Sequence, residues 1–162
     1  MSYSIIKHLG YTVWATDHLS KILEKANEAI LKKETSSSFP TIEKTILHIW
    51  DAEFIWMRRL QGESLLEWPS QNFAGDRTAL LQGWLDNSKA FKNFIESKDE
   101  NYLSTTIEYK NMAGKSFSNT VQEMIYHVVN HGTFHRGQIV TMLRTLGFVD
   151  ISSTDLITYL RS

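Results

Sequence analysis

Three of the chain's six histidines share one stretch at four-residue intervals: His127, His131 and His135. Residues four apart lie one turn above each other on a helix face, so an adjacent pair can chelate one cation through its imidazole nitrogens. All three cannot readily reach the same ion, because the outer two stand about 12 Å apart along the axis at roughly 1.5 Å per residue. One pair is therefore the candidate ligand set, and the third histidine serves another purpose. The chain has no cysteine, which removes disulfides, thiolate ligands and a cysteine nucleophile. Any thiol chemistry needs a thiol brought from outside.

The residues around the histidines choose between the pairs. At about 100° per residue, Val121, Met124, Val128, Gly132, Ile139, Met142 and Leu146 define one apolar stripe. His135 lies near its centre, His131 within its edge, and His127 roughly 100° away. The 131/135 pair is expected to face the interior and His127 the periphery. Core histidines satisfied by ordinary hydrogen bonds give the same pattern, so both readings stand. A catalytic zinc also takes three protein ligands and a water, so a further ligand must come from another helix. His48 and His18 are the candidates. Periodicity does not separate them, because His48 sits on the flank of the stripe formed by Ile42, Ile46, Ile49, Trp56 and Leu60.

The elements that must position these side chains read as helices. Residues 4–33 carry apolar positions at close to the helical period, ended by the polar stretch from Lys32 to Ser38 and by Pro40. A second helix starts after Thr41 and runs to about Gln61, where Gly62 stops it. Asp76 caps a third helix that extends to about Ser97. Thr105, Ile107 and Tyr109 alternate with polar neighbours, Asn111 to Gly114 read as a turn, and Phe117 follows, which predicts a short β-hairpin. Thr120 and Glu123 form a capping box for the fourth helix, and Gly147 ends it. The tail from Ser153 to Leu160 is expected to add a short helix. The expected fold is all-α: an antiparallel four-helix bundle, with a β-hairpin before the last long helix, in a single domain over residues 1–162.

Composition narrows the function classes. A formal net charge of −1 and the absence of a dense Lys/Arg run argue against a nucleic-acid partner. No stretch approaches the roughly 20 apolar residues of a membrane helix. The first eighteen residues include Lys7, His8 and Asp17 and do not read as a signal peptide. These features are those expected of a soluble, cytoplasmic protein.

The segment Asn130-His131-Gly-Thr-Phe-His135-Arg136-Gly137-Gln138, with His48-Ile-Trp-Asp-Ala-Glu53 upstream, resembles the DinB family of metal-binding four-helix bundles (the DinB/YfiT-like superfamily). The resemblance covers nearly the whole chain, and the tetrapeptide His135-Arg-Gly-Gln138, four residues after His131, is its most specific part. It implies a metal-binding triad of one histidine from the second helix and two from the fourth, here His48, His131 and His135. It implies zinc or nickel with an open coordination position, and homodimers are common. It also implies an activity like that of relatives that transfer bacillithiol or mycothiol, or of a thiol-dependent maleylpyruvate isomerase.

Other residues stand close enough in the pattern to matter. Glu53 falls near the centre of the second helix's apolar stripe, where a carboxylate needs a partner. It either orients a metal-bound histidine or makes a structural ion pair. Arg136 has Glu53, Asp51 or an anionic substrate as candidate partners, and Gln138 is a candidate neighbour of the site. Trp14, Trp50, Trp56 and Phe134 are either core or the walls of a substrate pocket. Three functions follow: a metal-dependent transferase using an external low-molecular-weight thiol, a metal-dependent hydrolase with Glu53 as base, or a non-catalytic metal- or ligand-binding bundle. No catalytic acid, base or nucleophile is assigned by sequence.

Overall fold

Thr41, Asp76 and Thr120 each start a helix in the computed structural model, which describes residues 3–162. Their side-chain oxygens accept from the backbone N–H groups of Lys44, Ala79 and Glu123, donors that a first helical turn leaves free. At Thr120 the bond is returned, since its own N–H donates to Glu123 at 2.9 Å. The long helices are α1 (Tyr3–Lys25), α2 (Ile42–Leu60), α3 (Arg77–Glu96) and α4 (Val121–Thr145). Gly62 and Gly147, both at φ +86°, supply the left-handed residue that ends α2 and α4.

The first helix is shorter than the 4–33 expected. It stops at Lys25, and a 3₁₀ turn follows at Glu28–Lys32. Asn27 is the cause: its side chain accepts from the Ala29 N–H at 3.0 Å and opens a new turn in place of continuing the old one. Leu31 is still buried, so the apolar period carries across the break.

α1 and α2 each pack against both α3 and α4, so α1 lies diagonally across from α2. One apolar cluster joins Leu19 and Leu23 of α1, Ile42 and Ile46 of α2, Leu80 and Trp84 of α3, and Ile139 and Leu143 of α4. The other joins Ile5 and Leu9, Leu60, Phe91 and Ile95, and Val121 to Val129. These memberships fix the directions: α1 and α4 run one way, α2 and α3 the other. The segment 61–76 must therefore travel back along α2 before α3 begins. The Asp51 carboxylate, midway along α2, holds this segment by accepting from the Ser70 N–H at 2.8 Å and the Ser70 hydroxyl at 2.5 Å.

The hairpin comprises β1 (Thr106–Lys110) and β2 (Ser116–Thr120), antiparallel with Thr106 opposite Thr120 and Lys110 opposite Ser116. Ile107 and Tyr109 alternate inward, as expected, and Tyr109 packs on Trp56 of α2. A one-turn helix, α5 (Leu156–Tyr159), lies on α1, where Tyr11 donates to the Thr154 carbonyl.

Between the two apolar clusters lies a polar layer. Glu53, 2% exposed, accepts from Ser88 at 2.7 Å and Asn87 at 3.2 Å, and Ser88 also meets Thr16 of α1 at 3.5 Å. Arg136, also 2% exposed, donates to Thr133 and stands over the Tyr11 ring. Its guanidinium fits because residue 132 is glycine, where an added Cβ would come within 2.9 Å of Arg136 Nη1. Glu53 and Arg136 interact through space, without a hydrogen bond or an ion pair within 4.0 Å. Burial pushes the Glu53 carboxyl up to about 7, against its bond from Ser88, the charge of Arg136 and its bond from Asn87.

A folded carboxyl that holds its proton more tightly than the unfolded one loses stability as pH rises from about 4.5 to about 7. Denaturant unfolding of wild type and Glu53→Gln, compared at each pH, cancels other titrating groups. The variant should gain roughly 1–3 kcal/mol on the wild type between pH 5 and pH 8; a pH-independent difference would show an ordinary carboxylate. At a second position, Gly83 of α3 lies against the Trp50 ring, where an added Cβ would fall 2.1 Å from a ring carbon. Gly83→Ala should lower stability by about 1–2 kcal/mol despite its better helix propensity, and a smaller side chain at position 50 should recover part of the loss.

Candidate metal centre

His48, His131 and His135 come together between α2 and α4, each offering one nitrogen, with those atoms all within 4.8 Å of one another. The Nε2 atoms of His48 and His131 are 2.9 Å apart. The antiparallel run of α2 against α4 brings His48, one and a half turns into α2, level with the middle of α4. His48 lies on the flank of its apolar stripe because the flank is the edge that meets α4.

His135 is buried and His131 half-buried, while His127 is exposed, in the order given by the helical wheel. Gln138, one turn beyond His135, meets His135 Nδ1 through Oε1 at 2.6 Å, and its amide donates to Ser38 at 3.1 Å. With the proton on Nδ1, the Nε2 lone pair of His135 is free to bind a metal, the arrangement found for imidazole ligands. Burial, aided by the charge of neighbouring histidines, lowers His48 to about 4 and His131 to about 3. His135 is lowered by burial as well, with Gln138 opposing. All three imidazoles are thus neutral near pH 7, as ligands must be. The cluster includes no carboxylate.

Other residues expected near the site are placed elsewhere. Glu53 is engaged with α3, and neither of its oxygens reaches a histidine. Arg136 points into the polar layer, on the far side of α4 from His131. The Trp56 ring lies 4.8 Å from that of His127, which in turn is 5.8 Å from His131. Trp14 stacks on His18 at 5.0 Å, and His18 meets Ser152 at 2.6 Å, so this histidine is tied to the C-terminal tail. Trp50 packs in the α2–α3 interface, and Phe134 is exposed beside His135.

Two aromatic residues at the site escaped sequence reasoning. Phe39 stacks on His48 at 4.2 Å and meets His135 edge-on at 5.7 Å, and Trp68 lies 6.4 Å from His48. Both belong to connections, where no period assigns a face; Pro40 and Pro69 beside them were the only signals. The connection 26–41 crosses the end of the bundle toward α2, which carries Phe39 over the histidines. Asp51 draws the 61–76 segment alongside α2 and Trp68 with it. A cavity of ≈ 380 Å³ opens on His48 between Phe39, Leu47, Trp68 and Lys44, with Asp51 also in its lining. A second, of ≈ 650 Å³, lies beyond Gln138 under residues 35–38. A hollow of ≈ 740 Å³ around Tyr109 and Phe117 holds none of the three histidines.

Comparison with known proteins agrees with this architecture. The chain is 29% identical over 167 residues to Protein DinB of Bacillus subtilis, covering 99% of this chain and 95% of that one. A DinB-like protein from Bacillus cereus superposes with a TM-score of 0.68 at 18% identity, over 90% of this chain and 94% of the other. YfiT from Bacillus subtilis, described as a probable metal-dependent hydrolase with an unusual four-helix bundle topology, superposes with a TM-score of 0.71 at 12% identity, over 92% and 91%. The DinB family model matches residues 1–162, and the chain is a member of that family.

Proposed function

We propose that the protein binds one divalent metal ion, zinc or nickel, through His48, His131 and His135 and uses it to transfer an external low-molecular-weight thiol to a small-molecule acceptor. The observation that carries the metal assignment is the convergence of three neutral imidazole nitrogens within 4.8 Å, one of them oriented by Gln138. Three nitrogen donors without a carboxylate suit these borderline ions better than magnesium or calcium. Bound there, the ion supplies Lewis acidity that would lower the pKa of a thiol or water entering its open position.

The choice of thiol rests on how the carboxylates near the site are engaged. Water needs a general base within hydrogen-bond reach. Glu53 is held by Ser88 and Asn87, and Asp51, which lines the cavity on His48, has both oxygens engaged by Ser70. A thiol is acidic enough to ionise with help from the metal alone, and the chain has no cysteine to compete with it. Phe39 and Trp68 give the site an apolar wall on one side. Hydrolysis is the second reading, favoured by the description of YfiT as a metal-dependent hydrolase.

Titration calorimetry of tag-free protein should give about one zinc or nickel per chain. His135→Ala and His131→Ala should abolish this binding, and Gln138→Ala should weaken it about 10- to 100-fold. His127→Ala should leave it within a few-fold; loss of binding there alone would reassign the ligand pair. For the chemistry, cobalt-loaded protein should change its visible spectrum on adding a low-molecular-weight thiol, through sulfur-to-metal charge transfer. If no common cellular thiol perturbs the spectrum while ester or amide substrates are cleaved, hydrolysis replaces transfer as the function.

A further inference from the structure

The connection that carries Phe39 is held to the bundle by very little. Between Leu31 and Thr41, both buried, every side chain is exposed or half-buried, and no helix continues past Lys32. Residues 35–40 close on themselves: the Thr35 N–H donates to the Pro40 carbonyl at 2.8 Å, and the Thr35 hydroxyl meets the same oxygen at 3.5 Å. Among the described residues this loop makes one hydrogen bond to a helix, accepted by Ser38 from the Gln138 amide of α4 at 3.1 Å. Its ring contacts are those of Phe39 with His48 and His135. The bond and the ring contacts thus run to the histidine cluster or to the residue that orients it. A loop with no buried side chain of its own, and with its ends tied together, can leave the surface as a unit at small cost.

The same loop borders two hollows. Phe39 lines the cavity on His48, and Thr35 to Ser38 line the one beyond Gln138. His135 stands where they approach each other, touching Phe39 on one side and Gln138 on the other. We propose that residues 35–40 are a lid over the histidine cluster, latched by Ser38 on Gln138 and sealed by Phe39 on His48, and that its closure is coupled to the metal. Imidazoles that share their lone pairs with a cation become more positive. That charge strengthens the hold of the Phe39 ring on His48. It also strengthens the bond from His135 Nδ1–H to Gln138, whose amide then donates more strongly to Ser38. By reciprocity, a lid that stays shut tightens the metal by the same factor. The covering rests on geometry alone, and only the coupling rests on the proposed metal site.

Two measurements test these halves apart. In metal-free protein, diethyl pyrocarbonate should acylate His48 roughly 3- to 10-fold faster in Ser38→Ala than in wild type, the factor held by one modest hydrogen bond. His48 is bonded to neither Ser38 nor Gln138, so a faster rate there reads the position of the loop. Ser38→Thr, which keeps the hydroxyl, should restore the wild-type rate, and the exposed His127 should react alike in all three proteins. An unchanged His48 rate in Ser38→Ala, or a rise shared equally by His127, overturns the lid whether or not the protein binds metal. For the coupling, the absence of cysteine allows a single nitroxide to be attached at Ser36→Cys. Its spectrum should broaden at saturating zinc, and adding Phe39→Ala should remove most of that change. A label at Glu108→Cys in the hairpin should not respond. Zinc that binds by calorimetry without immobilising the label at position 36 overturns the coupling. Zinc that does not bind at all faults the metal reading and leaves the acylation rates to decide the lid.

Discussion

A guanidinium that is 2% exposed dictates much of this bundle. Arg136 cannot be placed against hydrocarbon without large cost, so the helices around it supply polar surface at its level: Tyr11 and Thr16 from α1, Glu53 from α2, Asn87 and Ser88 from α3. Gly132 completes the arrangement by leaving room one turn earlier on α4. With Arg136 committed to the centre, the rotation of α4 about its axis is fixed. His131 and His135 then have no option but to face α2. The polar layer thus sets the orientation of the ligand pair without touching it.

The same layer divides the core into two apolar clusters, and the division explains where chemistry is found. Each cluster is closely packed and has the aliphatic composition of an inert interior. The histidines lie at the seam, on the α2–α4 edge, where side chains from the two connections complete the enclosure. This is a division of labour between regular and irregular structure. Helices hold the nitrogens, and the connecting segments bring the aromatic walls.

Most of the helical frame was legible because its signals are local. Thr41, Asp76, Thr120, Gly62 and Gly147 act within one turn of themselves, and a capping residue does the same thing in any fold. The inward pair His131 and His135 was legible for the same reason, since period and spacing are properties of one helix. His48 was not, because its partner lies 83 residues away and only the packing of α2 against α4 brings them level. Phe39 and Trp68 were illegible for a different reason: connections have no period, and their course follows from the parallel run of α2 and α3.

The 83-residue separation of His48 and His131 also bears on how the protein is made. In an unfolded chain, two nitrogens four residues apart can still meet on a transient turn, but the third is separated from them by a long loop whose closure is entropically costly. An ion that requires all three therefore discriminates between chains by their state of assembly. Such an ion would bind the docked bundle and largely ignore everything earlier, so its free concentration would be thermodynamically linked to the fraction of chains that have finished folding. A metal held by these three histidines would be, in this sense, a sensor of its own scaffold.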